Sequence, residues 1–209
     1  MTYILLDVGA NHGQDSIAKT AGNRDIVTYA FEPLPALHEK LDIARANFAD
    51  RYNLYQVALS DYDGESTFYI ADSDPQGDWG ASSLYPFVPH VSQTWPGRKD
   101  LVTTKTITVK VSRFDAWYES NQCTFDRIDY FHCDTQGSDL RVLKGMGKYV
   151  NMIQEGVVEC ARDEGTKLYA ENHTLNEMRE FLEAHDFKVT DMHSNDAWSN
   201  EVNLYFKKK

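Results

Sequence analysis

Between an apolar run and the helix-forming stretch behind it, the segment Asp7-Val8-Gly9-Ala10-Asn11-His12-Gly13 leaves few folds open. Tyr3 to Val8 is continuously apolar except for Asp7, as a parallel strand covered on both faces requires. Gly9 then ends it, and Ile17, Ala18 and Ala21 share one face of a helix over Gln14 to Ala21, with Gly22 and Asn23 as its stop. Asp25 to Phe31 reads as the second strand. Pro33 and Pro35 suit a turn and a first helical position, and Leu34, Leu37, Leu41, Ala44 and Phe48 recur at helical spacing behind them. Leu54 to Leu59 reads as a third strand. The alternation β-α-β-α-β predicts right-handed crossovers in a doubly wound α/β sheet.

The middle of the chain is less regular. Glu65 to Ala71 and Thr106 to Ser112 alternate like strands, and Phe114 to Ser120 reads as a short helix. Between the two strands, the Gly-, Pro-, Ser- and Trp-containing stretch from Asp72 to Gly97 is a long loop of the kind that often carries function. The doubly wound pattern resumes at the strand Ile128 to Cys133. Ser138 is placed to cap a helix through Lys144 that stops at Gly145, and Ile153 to Cys160 supplies another apolar strand. Thr174 with Glu177 makes a capping box ahead of Leu175, Met178, Phe181 and Leu182. Phe187 to Met192 and Val202 to Phe206 read as strands joined by the turn-rich stretch Ser194 to Asn200. At 209 residues, one domain over residues 1–209 is expected, with an irregular insertion or lid at about 72–105.

Composition excludes several classes. A formal charge of −11 argues against a broad footprint for nucleic-acid phosphates, and the basic run Lys207 to Lys209 reads as a solvated tail. No run reaches the roughly 18 apolar residues of a membrane span, so neither a membrane nor a nucleic-acid partner is expected. The three cysteines, Cys123, Cys133 and Cys160, form no CxxC pair and read as buried thiols of a cytoplasmic protein.

The glycine turn has a ligand-binding logic. Gly9 lets the backbone turn tightly and approach a ligand without a Cβ, while the start of the following helix offers free amides. Dinucleotide folds use three glycines as GxGxxG around a pyrophosphate, whereas Gly9 and Gly13 stand alone here. A ligand without phosphates fits better, and Asp7 suits a cationic amino group. Glu32 ends the second strand, where this architecture presents an acid to two ribose hydroxyls. Asp134 ends the strand from Ile128, where strand ends face the ligand crevice; it is the leading candidate for acceptor contact, either as general base or by orienting a hydroxyl. Glu159 ends the next strand and is placed to share a proton or a divalent cation with Asp134, although no metal is expected. His12 and His132 are further candidate bases, each with an ordinary structural alternative.

Three stretches together resemble the FkbM-type family of class I methyltransferases: DVGANHG at Asp7 to Gly13 with FEP at Phe31 to Pro33, VALSDYDG at Val57 to Gly64, and IDYFHCDTQGSDLRVLKG at Ile128 to Gly145. The resemblance implies a doubly wound, mostly parallel seven-stranded Rossmann-like sheet with an antiparallel C-terminal strand. It implies S-adenosylmethionine as methyl donor and a hydroxyl of a sugar or small metabolite as acceptor. Carried onto this chain, the donor site takes Asp7, Gly9, Ala10, Asn11, His12, Gly13, Glu32, Pro33, Ala58, Ser60, Asp61, Asp134 and Gln136, with Asp134, Glu159 and His132 as catalytic candidates. Ser60 and Asp61 correspond to residues that hold adenine. Family members often have Glu where this chain has Asp139 and Lys where it has His132. Gly80 to Leu84 resembles a family loop near the active site, beside which Trp79, Tyr85, Phe87 and Trp95 would form an apolar acceptor wall. A nicotinamide-dependent oxidoreductase and a non-catalytic binding module are the alternatives; the missing middle glycine disfavours the first.

Overall fold

The computed structural model describes residues 2–71, 80–194 and 200–209. In chain order the elements are β1 (Tyr3–Val8), α1 (Gln14–Gly22), β2 (Ile26–Phe31), α2 (Pro35–Ala44), β3 (Tyr52–Tyr55), β4 (Ala58–Leu59), β5 (Gly64–Ile70) and α3 (Val91–Thr94). There follow β6 (Lys105–Ser112), α4 (Phe114–Ser120), β7 (Ile128–Cys133), α5 (Asp139–Gly145), β8 (Ile153–Ala161), α6 (Leu175–Ala184), β9 (Phe187–Ser194) and β10 (Glu201–Lys208).

Seven strands form one sheet in the order β3-β2-β1-β7-β8-β10-β9. The pairs from β3 to β8 are parallel, and β10 runs antiparallel to both β8 and β9. This is the mostly parallel α/β sheet with an antiparallel C-terminal strand that the sequence predicts. The order reverses at β1, where the chain crosses from β3 to β7, so the crevice above the ends of β1, β2 and β7 is the switch point at which such sheets bind ligands.

Side-chain alternation explains both layers. Leu6, Val8, Phe31, Phe131, Val158 and Leu204 point to one face and pack with Trp117 of α4, Leu143 of α5 and Leu182 of α6. The opposite face carries Ala30, which packs with Ile17 of α1, Leu41 of α2, Phe48 and Tyr52. Helix α6 starts as expected, with Thr174 Oγ1 accepting from Glu177 N at 3.3 Å and Glu177 Oε2 accepting from Thr174 N at 2.8 Å.

Two expectations need correction. The strand expected over Leu54 to Leu59 is two strands, because the chain bends at Gln56 and Val57. Beyond the bend β4 leaves the main sheet and joins β6 and β5 in a separate three-stranded sheet of order β4-β6-β5. Both pieces are apolar, so periodicity alone does not show the bend. Ser138 does not cap α5 through its side chain. Asp139 instead accepts from Thr135 N at 3.1 Å and Thr135 Oγ1 at 2.8 Å, tying the preceding turn to the helix. Of the turn-rich stretch Ser194 to Asn200, residues 195–199 lie outside the described residues. No described helix is long and apolar enough to cross a membrane.

Candidate active site

The turn after β1 takes three left-handed residues in seven: Gly9 at φ 81°, Asn11 at φ 48° and Gly13 at φ 64°. Asn occupies the middle one because, among residues with a Cβ, it is one of the few that visit this region readily. A Cβ on Gly9 would stand 2.0 Å from the Asp134 carbonyl oxygen. Gly9 is therefore required by the approach of the β7 end, a reason that the sequence reading, which invoked close approach to a ligand, did not contain. Gly13 is likewise hemmed in, with Leu41, Ile17 and Tyr52 within 3.0 Å of where its Cβ would be.

Two cavities flank this turn. The first is lined by Gly9, Asn11, Glu32, Pro33, Ala58, Asp134 and Gln136 over an apolar floor of Phe31, Leu34, Val57 and Leu84. Within it, Glu32 is 4% exposed. Its Oε2 accepts from Asn11 N at 2.9 Å and its Oε1 from Leu34 N at 2.8 Å. Each carboxylate oxygen has a second lone pair, so the group retains capacity for two donors from the cleft. Burial pushes the Glu32 carboxyl up to about 7, against the lowering effect of the two backbone amides. Asn11 Oδ1 is buried with no protein partner, on a residue that lines both cavities. A buried acid with spare acceptor capacity, an unmatched polar atom and an apolar floor together fit an adenosine-like ligand.

The second cavity is lined by Asp7, Gly9, Ala10, Asn11, Gly13, Asp15, Lys19, His132 and Asp134. Here Asp7 already has a protein partner, since His132 Nδ1 lies 2.8 Å from Asp7 Oδ1. Burial opposes charging of the His132 ring, but the Asp7 hydrogen bond and the charges of Asp7 and Asp134 outweigh it and push the group up to about 9. His132 is therefore cationic at neutral pH. Burial raises the Asp134 carboxyl, opposed by Gln136 and by His132.

Some expected site residues lie elsewhere. Ser60, Asp61, His12 and Glu159 line neither cavity. Asp61 pairs with Arg141 at 3.2 Å, and the Ser60 carbonyl faces Gly145, where a Cβ would stand 2.0 Å away. Glu159 is 3% exposed and meets Asp134 indirectly, through the Gln136 amide that donates to both. Asp139 clamps two backbone segments, accepting from Thr135 N and from Glu159 N at 2.9 Å, and burial pushes it up to about 7. The Gly80 to Leu84 loop does reach the first cavity through Gly80, Ser82 and Leu84. The aromatic wall needs correction: Trp95 is 2% exposed and packs with Leu101 and Leu168, Phe87 stacks on Tyr169 at 5.3 Å, and Tyr85 sits beneath Arg141 at 5.6 Å. Trp79 lies outside the described residues. Cys133 and Cys160 are buried and free as expected, while Cys123 is free but half-buried.

Residues 7–189 match the methyltransferase FkbM domain. The chain belongs to the FkbM methyltransferase family. The family is one of methyltransferases, which weighs against the nicotinamide alternative. The 2-O-methyltransferase NoeI of Sinorhizobium fredii is 28% identical over 146 residues, which cover 68% of this chain and 56% of that protein. The FkbM chain described here thus spans little more than half the length of that relative. Magnesium protoporphyrin IX methyltransferase from Synechocystis PCC 6803, solved with bound S-adenosylmethionine, superposes with a TM-score of 0.53 at 8% identity, covering 100% of this chain and 71% of that one. Aeropyrum pernix fibrillarin, also solved with S-adenosylmethionine, gives 0.52 at 9% identity and covers 98% and 66%. At such identities the likeness shows a shared class I methyltransferase fold and nothing finer.

Proposed function

We propose that this FkbM protein methylates a hydroxyl oxygen of a sugar or small metabolite, with the adenosyl part of its donor in the first cavity and the acceptor meeting Asp134. The observation that carries this reading is that one cavity at the switch point of the sheet is lined both by Glu32, whose carboxylate is held by Asn11 N, and by Asn11, whose Oδ1 is buried without a partner. Gly9, Ala10, Asn11, Glu32, Pro33, Ala58 and Gln136 would hold the donor, and Phe31, Leu34, Val57 and Leu84 would exclude water from around it. When bound, S-adenosylmethionine supplies an electrophilic methyl group on a charged sulfonium. Asp134 lines both cavities, which supports a role in orienting an acceptor hydroxyl and taking up its proton, a task that asks mainly for alignment. The 2-O-methyltransferase relative supports an oxygen acceptor.

Isothermal titration with S-adenosylhomocysteine tests the donor site. Glu32→Ala should weaken binding at least tenfold, and binding unchanged in that variant sinks the assignment. Gly9→Val is the poorer probe, because its side chain would strike the Asp134 carbonyl and disturb the fold. With labelled donor and a panel of glycans and metabolites, Asp134→Asn should then lower transfer by about 100-fold.

A further inference from the structure

Asp134 and Glu159 end or nearly end neighbouring parallel strands, and the atom between them belongs to Gln136. Its Nε2 is 2.6 Å from Asp134 Oδ1 and 3.2 Å from Glu159 Oε2. A primary amide nitrogen carries two hydrogens, one for each carboxylate, and both carboxylates can only accept while ionised. The other end of the amide is equally committed: the Tyr169 hydroxyl lies 2.6 Å from Gln136 Oε1. Turning the amide over would aim its oxygen at two carboxylates, so the direction seen is the only one that satisfies all four groups.

The backbone around Gln136 is built to hold this arrangement. Gln136 takes a left-handed conformation at φ 55° and is followed by Gly137 at φ 97°. A Cβ on Gly137 would press within 3.0 Å of the Tyr169 ring, so the turn is moulded against that fully buried tyrosine. Ser83 Oγ donates to the Gln136 carbonyl at 2.6 Å, and the Tyr169 hydroxyl also lies 3.0 Å from the Ala81 carbonyl, which ties the 80–84 loop to the same point.

We propose that Gln136 is a positioning residue that holds Asp134 and Glu159 as a pair beside the donor cleft, with Tyr169 fixing the direction of its amide. The proposal rests on the reading of Asp134 as the carboxylate that meets the acceptor. The other charged groups acting here come from several elements: His132 and Asp7 from β7 and β1, Asp139 from α5, and, through Tyr169, Glu201 and Arg98. In that mostly acidic surrounding, removing the amide takes away the donor that the two carboxylates share, which favours a proton on Asp134.

The test follows the Asp134 carboxyl carbon by NMR across a pH titration of protein labelled with ¹³C in its Asp and Glu carboxyls, without donor or acceptor. In Gln136→Leu the Asp134 midpoint should rise by about one pH unit or more, and in Tyr169→Phe it should move the same way by less. A native melting transition with an unmoved midpoint in Gln136→Leu overturns the proposal. If Gln136→Leu does not fold, Tyr169→Phe decides, and an unmoved midpoint there overturns it equally. Because neither substrate is present, this failure is distinct from failure of the methyltransferase reading, which would appear as loss of S-adenosylhomocysteine binding or of transfer.

Discussion

Glu32 serves the fold and, in the donor site proposed here, would serve the ligand as well. Its two oxygens fasten the turns after β1 and β2 through Asn11 and Leu34, and the lone pairs left over face the cleft. Because burial holds the carboxyl near 7, a substantial share of the free protein carries it protonated at neutral pH, whereas a ribose diol is best held by the ionised form. S-adenosylhomocysteine should therefore bind about tenfold more tightly at pH 8 than at pH 6, and Glu32→Gln should flatten that rise. A flat profile in the unaltered protein, measured by titration calorimetry, would contradict the role. Much of this was legible in the sequence, since an acid at the end of the second strand and glycines after the first have local signatures. The His132–Asp7 pair and the Gln136 bridge were not, because they join residues 125 and 23 apart whose meeting depends on strand order. The Glu-to-Asp departure at position 139 makes sense only in three dimensions, where a short carboxylate suffices to reach the amides of Thr135 and Glu159.

At the scale of elements, Gly145 illustrates how a helix end is fitted to a neighbouring loop. It closes α5 against the Ser60 carbonyl, with no room for a methyl group. Helix propensity favours alanine over glycine by about 1 kcal/mol, while overpacking against fixed backbone costs about 1–3 kcal/mol. The steric loss should prevail, so Gly145→Ala should lower unfolding free energy by about 1–2 kcal/mol in urea titrations; a stabilised variant would show that the contact gives way easily. Sequence reading placed this glycine as a helix stop, which describes its position but omits its neighbour. The same limit explains the split of the third strand. Tyr52 to Leu59 carries apolar residues on both sides of the bend, and nothing in that run indicates that Ala58 and Leu59 pair with β6, whose partner residues lie more than fifty positions later. The capping box of α6 and the apolar runs of β1, β7 and β8 were read directly, because caps and buried parallel strands are encoded within a few residues.

Across the whole molecule, the three site groups Glu32, Asp139 and His132 shift in one direction, against the lowered carboxylates Asp100, Asp115, Glu177 and Asp191 and the lowered His38 and His173. Glu32 and Asp139, pushed up to about 7, keep protons in the folded state that an unfolded chain releases near pH 4, and His132, pushed up to about 9, keeps one that an unfolded chain releases near 6.5. Over these windows the folded state binds more protons, so stability is greatest at the acid end and is lost as pH climbs through each folded value. Self-repulsion from a net charge of −11 adds to the trend. The melting temperature should fall from pH 5 to pH 9 at constant ionic strength, with Glu32 alone contributing on the order of 3 kcal/mol; Glu32→Gln should remove about half of the slope below pH 7, leaving the share of Asp139. A melting temperature that climbs over that range would refute the shared sign.

The position of β10 bears on how the chain reaches this state. It lies between β8 and β9, both of which precede it in sequence, and is hydrogen-bonded to each along most of its length. During synthesis β9 consequently has no place in the sheet until β10 has emerged and paired with β8. The far edge of the sheet must therefore be the last part to assemble, and the exposed border of β8 is what a nascent chain has to protect in the meantime.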